Sequence, residues 1–174
     1  GTVTRAPRLT PTLQQVRYFR PREASPAAWP ALIEWPSAGP VWYAVPVHGG
    51  APGVKVAAHA PGRPVDPRDG PFTGIDPGQE DQATEYVRDR LPGLDPAPVA
   101  PETCLYTMTA DEDFVLDREG PVVVGTGCSG HAFKFGPMLG EILAALALGE
   151  PPAVDLTRFS LARPALAAPP IGDT

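Results

Sequence analysis

The sequence predicts an α+β protein: a β-rich first part, a helix past its middle, and a closing strand, glycine-rich turn and helix. Short runs dense in Val, Tyr, Trp and Phe, at residues 13–19 (LQQVRYF) and 41–47 (VWYAVPV), read as strands. Asp76, Pro77 and Gln79 together write a helix start. Residues 137–148 place apolar side chains at helical spacing. Glycine (18) and proline (25) make up about a quarter of the 174 residues without any repeat, and 43% of residues are hydrophobic, so the chain is loop-rich but able to bury a core.

Taken in order, residues 13–19 form the first strand, and 41–47 with 54–58 (VKVAA) form a hairpin around HGGAPG. Residues 60–77 are turn material, broken by Pro61, Gly62, Pro64, Pro67, Gly70 and Pro71. A helix over Pro77–Arg90 follows, capped by Asp76 with Gln79 closing a capping box, stopped by Pro92 and Gly93, and burying Ala83, Val87 and Leu91. Residues 105–108 and 114–117 are expected as short strands flanking the acidic turn at 110–113. Val122, Val123 and Val124 are a buried strand, residues 125–130 a glycine turn, and the last helix shows Met138, Ile142 and Leu146 on one stripe before Gly149.

A net charge of −6, with arginines scattered singly or in pairs, argues against a nucleic-acid surface. No stretch approaches the roughly twenty apolar residues that span a bilayer. Cys104 and Cys128 are too few for a disulfide framework and lack the spacing of a zinc or thiol-exchange site, which points to free thiols in a reducing, cytoplasmic setting, with no metal site expected. The lack of an initiator methionine at Gly1 points to a processed or trimmed chain.

Against twelve arginines there are two lysines, Lys55 and Lys134, each closing a glycine-rich turn (GGAPGVK and GTGCSGHAFK). A compact ammonium offers what guanidinium does not: three rotatable donors and a pKa that responds to burial. The second turn contains a G-x-G-x-x-G spacing and leads from a strand into a helix, a seat where backbone N–H groups can meet an electron-rich ligand. It is not a dinucleotide fingerprint, because no strand with an acidic residue follows and the chain runs out into Pro151 and Pro152.

The runs TCLYTMTADEDFVLD (103–117), VVVGTGCSGHAFKF (122–135) and FSLARPAL (159–166), with WYAVPVHGGAPGVKVAAH (42–59) upstream, resemble the C-terminal half of the monomeric sarcosine oxidase and N-methyltryptophan oxidase family, flavin amine oxidases of the D-amino-acid oxidase superfamily. The resemblance implies an FAD enzyme that oxidises a secondary amine, such as an N-methyl or cyclic amino acid, to an imine while O2 becomes H2O2. It implies that Cys104 carries FAD covalently through sulfur, for which a thiolate is the right nucleophile. Lys55 then promotes reaction with O2, where a preorganised cation stabilises developing negative charge. By the same resemblance Lys134 holds the substrate carboxylate and borders the cofactor, Gly127, Ser129, Gly130, His131 and Ala132 approach the flavin, and Tyr43, His59 and Tyr106 line the substrate pocket. Cys128 has no implied role and is expected in the core.

Three departures stand beside these matches: Ala110 replaces a common proline, Ala132 a common glycine, and GGAPGVK is one residue longer than its counterpart. A side chain at position 132 would crowd the flavin edge if that backbone needs positive φ. The resemblance divides the chain into a substrate-domain portion (1–100), a flavin-contacting segment with the last strand and helix of a Rossmann-like FAD domain (101–166), and a tail (167–174). The fold is then incomplete without an N-terminal FAD-binding half, carried by the same longer chain or by a separate one. The alternatives are a subunit completed by another chain and a catalytically silent interaction module.

Overall fold

The computed structural model describes residues 6–23, 29–73 and 76–167; the tail beyond Ala167 lies outside the described residues. The backbone divides into two units, one of Leu13–Gly62 with Asp69–Cys104, the other of Gly1–Thr12, Arg63–Arg68 and Leu105–Thr174.

In the first unit, β2 (Leu32–Glu34), β3 (Val41–Val45), β4 (Val54–His59) and β1 (Thr10–Pro21) lie side by side in that order, and β6 (Leu94–Met108) pairs with β1. The β3–β4 hairpin expected around HGGAPG is present, antiparallel, with Tyr43 opposite Ala57 and Val45 opposite Lys55. β1 also runs antiparallel to β4, with Arg17 opposite Val56 and Tyr18 opposite Lys55. Because side chains alternate along a strand, these registers sort residues onto two faces. Phe19, Ala44, Val54 and Val56 share one face and are buried against Ala83, Tyr86, Val87 and Leu91 of α1 (Pro77–Arg90) and its end. Tyr18, Tyr43, Lys55 and His59 stand on the other.

Helix α1 begins and ends where the sequence places it, but its cap is wired differently. The Asp76 carboxylate accepts from the Gly78 N–H at 2.9 Å, and the Asp76 N–H donates to Gln15 Oε1 at 2.9 Å, so the return bond comes from β1 and not from Gln79. A part-buried group of charges secures the other end: Tyr86 donates to Glu34 Oε2 at 2.8 Å, and Arg90 pairs with the same carboxylate. Strand β6 is fifteen residues long where a four-residue strand is expected. Pro96, Pro98 and Pro101 hid its first part from a propensity reading, yet a strand that pairs β1 tolerates residues lacking N–H on a side that needs no donor.

In the second unit, β5 (Arg63–Pro64) pairs with the start of β1, and the Val65 N–H donates to the Pro11 carbonyl at 2.9 Å. β7 (Val115–Glu119) and β8 (Val122–Thr126) form an antiparallel hairpin, and α2 (Gly136–Leu148) follows a single 3-10 turn at Phe133–Phe135. The apolar stripe of α2 is Leu139, Ile142, Leu143 and Leu146, packed with Phe114, Leu116 and Phe159. Met138 is not on it: at 46% exposure it faces outward, one position off the buried row. The closing segment is fixed by charge. Arg163 makes a two-pronged pair with Asp111 at 2.7 and 3.0 Å and donates to the carbonyls of Phe114 and Asp113. Asp117 accepts from Ser160 Oγ and the Leu161 N–H.

Candidate functional site

The first unit brings Lys55, His59 and Tyr43 onto the sheet face opposite α1, because β3 and β4 pair in the register that aligns Tyr43 with Ala57, midway between Lys55 and His59. All three are half-buried. Lys55 sits directly across from Tyr18, whose hydroxyl donates to Glu102 Oε2 at 2.5 Å. That bond pushes the Tyr18 phenol up to about 12, with burial adding to it. Cys104 lies two residues beyond Glu102 on β6 and is exposed. Loss of solvation at the sulfur pushes its thiol pKa up, Lys55 pulls it down, and Glu102 adds to the rise. Lys55 is therefore the group that favours the thiolate here, through the attraction of an ammonium for a neighbouring anion.

The second unit builds the glycine turn. Gly127, Ser129 and Gly130 all take positive φ (71°, 45° and 76°), so the turn is built from left-handed backbone. At Gly130 a Cβ would lie 2.2 Å from the Tyr106 ring, so the turn and the ring are packed in contact and only glycine fits. Ser129 is buried and held in its unusual conformation by its N–H to the Thr107 carbonyl (3.0 Å) and its Oγ to the Gly127 carbonyl (3.2 Å). The His131 N–H is bound to the Cys128 carbonyl. With the Ser129 amide bound to β6 and the His131 amide bound within the turn, the amides of Cys128, Gly130 and Ala132 are candidates to meet a ligand.

His131 Nδ1 lies 3.0 Å from the Ser129 carbonyl, an acceptor only, so that nitrogen carries the hydrogen. Lys134 is exposed, its Nζ donating to the His131 carbonyl at 2.9 Å and standing 5.1 Å from the centre of the Phe135 ring. Ala132 has φ −75°, ordinary helical backbone, which removes the steric objection to a side chain at that position. Cys128 corrects an expectation: it is exposed at the crest of the turn and not in the core, because Gly127 and Ser129 on either side are the buried members.

Tyr18, Glu102 and Arg163 escaped the sequence reading as individual residues. Tyr18 lay within a run read only as a strand, and its link to Glu102 spans 84 positions, which needs the β1–β6 pairing to be seen. The period of two from Glu102 to Cys104 was the available clue. Among the described residues, no cluster of His, Cys, Asp and Glu is arranged to hold a metal ion, and no helix is long and apolar enough to cross a membrane.

The fold has counterparts among known proteins. The family model described as FAD dependent oxidoreductase matches residues 1–146. The peroxisomal sarcosine oxidase of Homo sapiens is 40% identical over 126 residues, covering 70% of this chain and 32% of that protein. The monomeric sarcosine oxidase of Arthrobacter sp. (strain TE1826) is 33% identical over 166 residues, 91% of this chain and 42% of the relative. Among solved structures, NikD, described as an unusual amino acid oxidase essential for nikkomycin biosynthesis, superposes with a TM-score of 0.64 at 27% identity, covering 90% of this chain and 43% of that one. The chain belongs to the FAD dependent oxidoreductase family. Within it, the chain is sarcosine oxidase-like, and it spans about a third to two fifths of the length of these relatives.

The residues present suit FAD on two counts. An exposed thiol feels the attraction of an ammonium on one sheet face, and the positive-φ turn leaves backbone amides for a ligand to meet.

Proposed function

We propose that this chain is the C-terminal portion of an FAD-dependent oxidase that converts a secondary amine, an N-methyl or cyclic amino acid, to an imine with reduction of O2 to H2O2. The observation that carries the reading is the grouping of Cys104 and Lys55 on the face that α1 leaves open, in a sarcosine oxidase-like member of an FAD-dependent family. FAD, when bound, supplies the two-electron oxidation of the amine and the delivery of those electrons to O2. An N-terminal FAD-binding half completes the cofactor site, whether on the same polypeptide or another.

The roles of this chain's residues follow from their chemistry. Cys104 would hold FAD through its sulfur, and the Lys55 ammonium would favour the thiolate there. Lys55 also offers a fixed positive charge where oxygen gains electrons, a stabilisation that grows as water is excluded. Tyr43 and His59, on the same face, orient the amine by hydrogen bonding. Lys134 binds the substrate carboxylate as a point charge, giving up its bond to the His131 carbonyl to do so. In the full-length enzyme, Lys55→Met is expected to slow reoxidation of reduced protein by O2 about a hundredfold or more, and to change anaerobic reduction by substrate far less, as followed by stopped-flow absorbance. Equal slowing of both half-reactions sinks the assignment.

A further inference from the structure

The sheet face opposite α1 holds one negative and one positive charge, Glu102 and Lys55, that both act on Cys104. The charged and titratable groups there are Tyr18 and Arg20 on β1, Tyr43 on β3, Lys55 and His59 on β4, and Glu102 and Cys104 on β6. Lys55 and Glu102 both act on the Cys104 thiol, in opposite directions, whereas Arg20 is not among the groups that act on it. Two such charges beside one thiol would ordinarily collapse into an ion pair, cancelling each other's influence. They have not done so: among the described residues Lys55 has no carboxylate oxygen within 4.0 Å. The Glu102 carboxylate is instead taken by the Tyr18 hydroxyl at 2.5 Å, from the residue directly across from Lys55 in the β1–β4 register.

We propose that Tyr18 is a positioning residue: by tethering the Glu102 carboxylate it keeps that carboxylate off Lys55, leaving the ammonium uncompensated beside Cys104. Tyr18 touches neither the thiol nor a reacting atom and acts only through Glu102. The tether stands on the geometry of this face alone. Its consequence, faster flavin attachment and an unpaired cation available to oxygen, rests on the functional reading above.

The test is the rate of iodoacetamide alkylation at Cys104, read by peptide mass spectrometry from about pH 6 to pH 10, in full-length protein produced without flavin. Tyr18→Phe removes one oxygen atom and keeps the ring. It is expected to slow alkylation near neutral pH by about three- to tenfold and to move the pH profile upward, because a freed Glu102 pairs with Lys55. Glu102→Gln, at an exposed position, is expected to speed alkylation, and Tyr18→Phe added to it is expected to have no further effect. The tether is overturned if Tyr18→Phe leaves the profile in place, or moves it equally with and without Glu102, since the ring would then act by packing alone. Flavin retention in acid-precipitated wild-type protein is scored separately. A tether effect in a protein that releases all its flavin upholds the tether while rejecting attachment at Cys104.

Discussion

Arg163 shows how much one side chain can hold in this chain. Its guanidinium is 8% exposed and satisfies a carboxylate and two backbone carbonyls, all within the turn that joins β6 to β7. Two parallel N–H···O bonds give this pair a geometry that lysine cannot copy. Truncation to alanine leaves Asp111 half-enclosed without its cation and two carbonyls without donors. The expected cost is about 2–4 kcal/mol in urea unfolding. The pair also sets a pH dependence. The Arg163 hydrogen bond holds the Asp111 carboxyl below its ordinary range, so its contribution is present above that range, about pH 4, and is lost as pH falls through the lowered value. The gap in stability between wild type and Arg163→Ala is therefore expected to be widest near neutrality and to narrow in acid. A gap that holds constant down to about pH 2 would show that Asp111 is not the partner that matters. From the sequence, Arg163 was one letter in FSLARPAL. Nothing local marks it, because Asp111 lies 52 positions away.

At the scale of elements, what could be read in advance followed from how locally each element is determined. Helix α1 was legible to the residue because its start lies in the adjacent Asp76 and Pro77 and its stop in Pro92 and Gly93. Its cap is a concrete test: Asp76→Ala is expected to cost about 1 kcal/mol by thermal or urea unfolding, since the Gly78 N–H loses its acceptor. No loss would mean that the bond from the Asp76 N–H to Gln15 anchors the helix start alone. The β3–β4 hairpin was equally plain, with alternating residues around a glycine turn. The first part of β6 was not, since three prolines lower strand propensity and only the neighbouring strand β1 makes an extended conformation favourable there. The stripe of α2 slipped by one residue for a similar reason: Met138 and Leu139 both fit a 3.6 period from Ile142, and tertiary packing alone chose Leu139.

At the scale of the molecule, the sequence carried the residue types of the candidate site but not their pairing. Lys55 stood out through the scarcity of lysine, and Cys104 through its flanking motif. The register that sets Lys55 across from Tyr18, with Glu102 bonded between the strands, became visible once the sheet was assembled. Cys104, Lys55, Tyr43 and His59 fall in one unit, and Tyr106 with the Gly127–Ala132 turn and Lys134 in the other. Our proposal is that Cys104 and Lys55 mark the flavin-facing side of an amine oxidase. Its most direct test is to precipitate the full-length protein with acid, digest it, and weigh the peptide containing Cys104. The account predicts that the yellow colour stays with the precipitate and that this peptide carries the added mass of a flavin. A colourless precipitate with an unmodified Cys104 peptide would contradict it.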